Sequence, residues 1–173
     1  MDSLLKTLVR KHDLKKHRSK VRSGLVPLSR IKSAAVFLDG TRPDSSALMD
    51  RVRRYFSGHG IKVTICCTCF TDSPMLSEGS PDTVFIHNND IHWTGRQKRD
   101  KKVMPIPEDS DLIVSLLYPD PYVCEYAVLC SDAKFKVGRT KLKSNAYDFT
   151  LICDDLDQNQ ALDAVCEVLE KVQ

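Results

Sequence analysis

Short runs too apolar for a sheet with one wet face alternate along this chain with helix-patterned stretches, and that alternation leaves few folds open. Ala34-Ala35-Val36-Phe37-Leu38 is the first run, ending at the turn residues Asp39-Gly40. Residues 61–70, 83–87 and 111–117 read as further strands, with shorter ones at 133–137 and 149–153. Between them, Asp44-Ser45-Ser46 beside Pro43 can cap a helix running to Ser57. Its Leu48, Met49, Val52, Tyr55 and Phe56 recur at three and four, and Gly58-His59-Gly60 stops it. Residues 122–130 and 161–172 also carry a helical pattern. Buried strands separated by helices indicate a mainly parallel sheet covered on both faces. Right-handed crossovers prune the topologies further. The expected fold is α/β: an open, doubly wound, Rossmann-like sheet of five or six strands with helices on both faces.

At 173 residues, the chain suits one domain, or one domain plus an arm. Such a domain buries roughly 70% of its unfolded surface and needs no disulfide or metal staple. The net charge of +3 conceals a division. Residues 1–32 hold ten Lys and Arg against two Asp, or +8; the other 141 residues carry 16 basic and 21 acidic groups, or −5. From Ser3 to about Arg22 there is no Gly or Pro, so a helix is expected there, with Leu4, Leu5, Leu8 and Val9 as an apolar patch. Gly24 and Pro27 then punctuate the chain. The expected organisation is a basic helical arm and linker at 1–32 and a single α/β domain at 33–173.

Neither a membrane-spanning run nor a signal peptide is read in the sequence. Seven cysteines, odd in number and scattered, suggest reduced thiols and a cytoplasmic location.

The motif search narrows the chemistry. The seven glycines, at 24, 40, 58, 60, 79, 95 and 138, give neither Gly-x-Gly-x-x-Gly nor a phosphate loop, which disfavours a dinucleotide or P-loop site. No Gly-x-Ser-x-Gly elbow and no His-Glu-x-x-His is present. Phe37-Leu38-Asp39-Gly40-Thr41 resembles part of the haloacid-dehalogenase motif, but Phe37 stands where the nucleophile belongs, and a phenyl ring cannot attack phosphorus. Cys66-Cys67-Thr68-Cys69 contains a Cys-x-x-Cys, yet it lies in a strand, without the helix start that activates a redox thiol. These cysteines, with Cys124, Cys130, Cys153 and Cys166, read as small apolar core residues. No metal ligand set and no cofactor is assigned.

Residues 88–110 form an unusually long connection. It holds the only tryptophan, Trp93, followed by Arg96, Lys98, Arg99, Lys101 and Lys102. An aromatic beside cations can stack on a base, but the expectation for Trp93 is burial as a loop anchor. His87, Asp90 and His92 lack the spacing of a metal site. Lys134, Lys136, Arg139, Lys141 and Lys143 form a further basic cluster, where Lys134 and Lys136 read as edge-strand lysines that block pairing. Residues 148–173 are acidic, and the arm has the option of docking there.

The basic opening, Asn88 to Gly95 with its Trp-x-Gly, and Asp111-Leu112-Ile113-Val114 followed by Ala133 to Arg139 resemble an uncharacterised family of small cytoplasmic proteins from Bacteroidota. The last pair of motifs is also similar to the amino-terminal half of heptosyltransferase-type glycosyltransferases. That likeness implies the doubly wound fold; it carries no activity, because such enzymes need a second domain for the donor.

The expected function is a non-enzymatic binding module whose basic arm meets RNA, a ribonucleoprotein or an acidic protein. The contact candidates are Arg10, Lys11, Lys15, Lys16, Arg18, Lys20, Arg22, Arg96, Lys98, Arg99, Lys101 and Lys102. The alternative is a small-ligand or enzyme domain, including a degenerate glycosyltransferase-like half. It would use the crevice at the carboxyl ends of the strands, with Asp39, Thr41, Arg42, Asp120 and Arg139 as candidates. A membrane-surface role ranks third.

Overall fold

The computed structural model describes residues 2–70, 80–98, 106–139, 144–152 and 155–172. The elements are α1 (Asp2–His17), β1 (Ser33–Asp39), α2 (Ser45–Gly58), β2 (Lys62–Cys69), β3 (Thr83–His87), β4 (Leu112–Ser115), α3 (Tyr122–Cys130), β5 (Phe135–Gly138), β6 (Phe149–Thr150) and α4 (Gln158–Lys171). The six strands form one open sheet in the order β3-β2-β1-β4-β5-β6, and every pairing is parallel. The architecture is therefore α/β and Rossmann-like, preceded by a helix.

Alternation along β1 builds two cores. Ala34, Val36 and Leu38 face one side, with Leu48, Val52 and Phe56 of α2 and Leu162, Val165 and Leu169 of α4. Ala35 and Phe37 face the other, with Val123, Cys124 and Val128 of α3, and Leu14 of α1 packs against that same cluster. The chain order reverses between β1 and β4, which leaves a switch point at their carboxyl ends.

Several boundaries differ from the sequence pattern. α1 stops at His17 rather than near Arg22. The body draws the chain off the helical path: the Ser19 amide donates to Leu129 O at 3.0 Å, the Ser19 hydroxyl to Asp132, and the Gly24 amide to Lys134 O. α4 begins at Gln158, three residues early, because Asp157 and Gln160 close a capping box. The Asp44 side chain makes no capping bond to α2 and instead accepts from Asn159 Nδ2 at 2.7 Å, tying α2 to α4. β5 lies between β4 and β6, so its lysines do not guard an edge. Lys136 is buried, donates to Ser131 O at 2.8 Å, and has its pKa lowered by that burial. Lys134 pairs with Asp111.

One ion pair fastens α2 to the entry of β3. Arg53 donates Nε and Nη2 to the two Asp82 oxygens at 2.8 and 3.0 Å. The Ser80 and Thr83 hydroxyls donate to the same carboxylate. Arg53 foremost, then these hydroxyls, hold Asp82 well below the usual carboxylate range, against the opposing effect of burial. A carboxyl depressed in the folded state stabilises fully above its unfolded pKa, and that stability drains away as pH falls through the folded value. Asp82→Asn is expected to cost about 1–2 kcal/mol at pH 7 for a partly exposed, bidentate pair. Urea unfolding at pH 7, 4 and 2.5 checks it: the difference from the parent protein should narrow below pH 4.

Candidate functional site

A crevice of about 400 Å³ opens at the switch point. The turn after β1 contributes Asp39, Thr41 and Arg42; Thr68 and Phe70 come from the end of β2. Leu117, Tyr118, Pro119 and Pro121 follow β4, Arg139 follows β5, and Leu156, Asp157 and Gln158 lead into α4. Four of the five crevice candidates, Asp39, Thr41, Arg42 and Arg139, thus share one lining. Asp120 does not join them.

The β1 turn is internally satisfied. Asp39 N donates to Gln158 Oε1 at 2.8 Å, Gly40 N to Thr68 O at 2.9 Å, and Thr41 N and Oγ1 to Asp39 Oδ1 at 2.9 and 2.7 Å. Amides already spent in this way cannot cradle a phosphate, in keeping with the missing glycine pattern. Phe37, at the position of the dehalogenase nucleophile, is wholly buried in the core.

Arg139 is 5% exposed. Its Nη1 donates to Leu116 O at 3.1 Å and its Nη2 to Leu156 O. These two carbonyls fix the orientation of the guanidinium. The guanidinium carbon stands 5.8 Å from the centroid of the Tyr118 ring, which is 49% exposed.

Asp120 turns inward because two hydroxyls claim it. Ser115 Oγ donates to Oδ1, and Tyr147 Oη donates to Oδ2 at 2.9 Å. Burial, and then the adjacent Asp120 carboxylate, push the Tyr147 hydroxyl well up, so it stays a donor. The trio braces the loop that carries Tyr118 and Pro119.

The arm is docked on the body. Arg10 lies with its guanidinium carbon 3.9 Å from the centroid of the Tyr122 ring and donates Nε to Thr94 O at 2.6 Å. Asp13 pairs with Arg96 at 3.4 Å. Residues 91–97 form a small hairpin, bridged between Ile91 and Gln97 and closed by Gly95 N to His92 O at 2.7 Å. Arg10 and Arg96 are therefore spent on docking. Lys11, Lys15, Lys16, Arg18, Lys20 and Arg22 are exposed and, among the described residues, have no acidic partner. Lys98 donates to Asn89 O at 2.6 Å; Arg99, Lys101, Lys102, Lys141 and Lys143 lie outside the described residues. Among the described residues, the arm meets α3, the hairpin and the approach to β5. From the acidic carboxyl segment, Asp148 accepts from Ser23 Oγ at 2.8 Å.

Trp93 corrects the expectation of burial: it is 55% exposed at the hairpin tip, 5.7 Å from the His92 ring. Thr94 and Gly95 take the buried positions instead. Gly95 has φ +94°, and a Cβ there would stand 2.7 Å from Tyr122 Cδ1 and overlap the Arg10 guanidinium. Gly95→Ala is expected to expel Arg10 and loosen α1. Hydrogen exchange should then show α1 amides losing protection, with β1 and β2 unchanged.

His87, Asp90 and His92 do not converge on a cation. Asp90 Oδ2 accepts from His87 N at 2.9 Å, and His92 Nδ1 contacts Thr94 Oγ1 at 2.9 Å. No group of three potential ligands is found among the described residues. Cys66, Cys67, Cys69 and Cys124 are buried, and burial pushes the Cys66 and Cys124 thiols up. Cys67 and Cys69 are in sulfur–sulfur contact at 3.9 Å, which raises Cys67 further. Cys130 and Cys166 are only partly buried, and Cys153 lies outside the described residues. No helix among the described residues is long and apolar enough to cross a membrane.

A family model matches residues 3–171, nearly the whole chain. The chain belongs to that family. It is described as a family of unknown function (DUF6913). No curated protein and no solved structure matches the chain. In this DUF6913 chain Tyr118 lies at the edge after the fourth strand where the sequence reading set the crevice. That reading passed over Gln158 and Tyr147, which carry no local signal: their partners Asp39 and Asp120 lie 119 and 27 residues away.

Proposed function

We propose that the chain is a binding module that holds single-stranded RNA along its docked arm and the adjoining hairpin. The observation that carries this reading is the pairing of six exposed cations, from Lys11 to Arg22, with a half-exposed Trp93 on a hairpin bolted to the same arm. Cations follow a phosphate backbone, and an exposed indole offers a stacking face that any base can use. Arg10 and Asp13 make the platform rigid, so the cations are displayed without an ordering cost for α1. The cationic path covers about 25 Å, one stretch of helix followed by extended chain. That suits about six nucleotides, within the roughly 4–16 typical of single-strand sites.

Leu4, Leu5 and Leu8 are exposed on the first turns of α1. They make a lipid surface the main competitor, and an acidic protein the next. Fluorescence anisotropy with a labelled 12-nucleotide oligouridine tests the proposal, with phosphatidylserine vesicles and polyglutamate as competing probes. Binding to RNA should weaken with a log–log salt slope of about −4 for six contacts on a single strand. No RNA binding at 50 mM salt, or capture by vesicles with no response to RNA, would overturn it.

A further inference from the structure

We propose that Ser19 and Ser23 are phosphorylation sites, and that a phosphoryl group on either one expels the linker at 18–24 from the body. Ser19 follows Lys15-Lys16-His17-Arg18, and Ser23 follows Lys20-Val21-Arg22. Cations on the amino-terminal side of a serine suit kinases whose substrate cleft is acidic. Residues 18–24 lie outside any helix or strand, and both serines are partly exposed. Chain of that kind enters an enzyme cleft without the unfolding of an element. Arg30 and Arg54 stand three residues before Ser33 and Ser57, as Lys16 and Lys20 do before Ser19 and Ser23, but Ser33 and Ser57 lie in β1 and α2.

Each hydroxyl tethers the linker to an acid of the body. Ser19 Oγ donates to Asp132 Oδ1 at 2.6 Å, and Ser23 Oγ donates to Asp148 Oδ1 at 2.8 Å. Both acids are fixed: Asp132 N donates to Glu108 O at 3.0 Å, and Asp148 Oδ2 accepts from Lys136 N at 2.9 Å. In the transfer, the serine Oγ attacks the terminal phosphorus of a nucleoside triphosphate. The Oγ–P bond forms, the P–O bond to the diphosphate leaving group breaks, and the hydroxyl proton passes to the kinase's base. A hydrogen-bond donor thus becomes a group of about −1.5 to −2 charge that faces a carboxylate.

The neighbouring cations do not reverse this. Arg18, Lys20 and Arg22 belong to the same segment and travel with it, so they meet a phosphate equally well docked or released. On the body, Lys134 pairs with Asp111 at 2.6 Å, and Lys136 is buried with its Nζ on Ser131 O at 2.8 Å. Repulsion from Asp132 and Asp148 therefore separates the two states, and it favours release. α1 keeps its own contacts through Arg10 and Asp13, so the break falls at the linker. Two phosphates also set about −3 to −4 against the six exposed cations, which weakens the RNA surface. That last consequence rests on the RNA reading; release of the linker does not.

The test treats the full chain with magnesium ATP and the catalytic subunit of a cyclic-AMP-dependent protein kinase. Peptide mapping should place phosphate on Ser19 or Ser23. Ser144, which follows Lys141 and Lys143 and donates to Glu125 Oε1 at 3.0 Å, is the internal comparison. Hydrogen exchange should show the Ser19 and Gly24 amides, bonded in the docked linker to Leu129 O and Lys134 O, exchanging roughly tenfold faster or more, with β1 and β2 unchanged. Ser19→Ala with Ser23→Ala removes both tethers without adding charge, so it should speed that exchange less than phosphorylation does. RNA anisotropy on the phosphorylated sample should show affinity weakened roughly tenfold or more. If the parent chain binds no RNA, the function proposed above fails and the exchange result still decides this one. Phosphate on neither serine, or on Ser144 alone, overturns the proposal. So does a chain phosphorylated at Ser19 or Ser23 whose linker amides exchange as the parent's do.

Discussion

Replacing Lys11, Lys15, Lys16 and Lys20 together by Gln is expected to weaken RNA binding by roughly 500-fold at 0.1 M salt. Each phosphate contact on a single strand contributes about 0.7 to the log–log salt slope. Between 1 M and 0.1 M salt, four contacts are therefore worth about 2.8 decades, or about 4 kcal/mol. The slope should flatten from about −4 to about −1.4 in the same variant. Gln suits this test because its helix propensity is close to that of Lys, and because all four positions are exposed. The docking contacts, Arg10 on Tyr122 and Asp13 with Arg96, are untouched, so the unfolding midpoint should hardly move. Trp93→Ala provides the complementary result. It should cost about 1–3 kcal/mol of affinity and leave the slope alone, because a stacking face carries no counterions. A quadruple variant that binds like the parent would remove the arm from the site.

The parallel sheet was legible in the residues because burial on both faces leaves a local mark. A strand such as Ala34 to Leu38, apolar throughout and ended by Asp39-Gly40, has one reading, and three further runs repeat it. The crevice followed from the same logic, since the turns after β1 and β4 must meet wherever the strand order reverses. The arm was legible as charge but not as architecture. Arg10 and Lys11 are equivalent in sequence, yet one lies on Tyr122 and the other faces water. What separates them is an 84-residue contact with Thr94. Trp93 misled for a related reason: indole is buried on average, and only the positive φ of Gly95 and the approach of Arg10 decide that this turn presents its ring outward. Asp120 sat at the expected strand end and still left the crevice, because Tyr147 claims it from 27 residues away.

Gly138→Ala should be strongly destabilising, costing about 3–5 kcal/mol. Gly138 closes β5, where a Cβ would overlap Cδ2, Cε2 and Cζ of the Tyr147 ring. A flexible side chain would swing aside, but this ring is anchored at its far end. Tyr147 Oη donates to Asp120, whose other oxygen holds Ser115 in the centre of the sheet. Displacing the ring therefore adds to an overpacking cost of about 1–3 kcal/mol the loss of a charge-assisted hydrogen bond, worth about 1.5–3 kcal/mol. Against a total of about 5–15 kcal/mol for a domain, that is a large share. Urea unfolding measures the loss, and a double-mutant cycle assigns it. In Tyr147→Ala the methyl has space, so adding Gly138→Ala to that background should cost at least 2 kcal/mol less than it does alone, a coupling typical of residues in direct contact. Equal costs in both backgrounds would show that the ring is not what makes the glycine necessary.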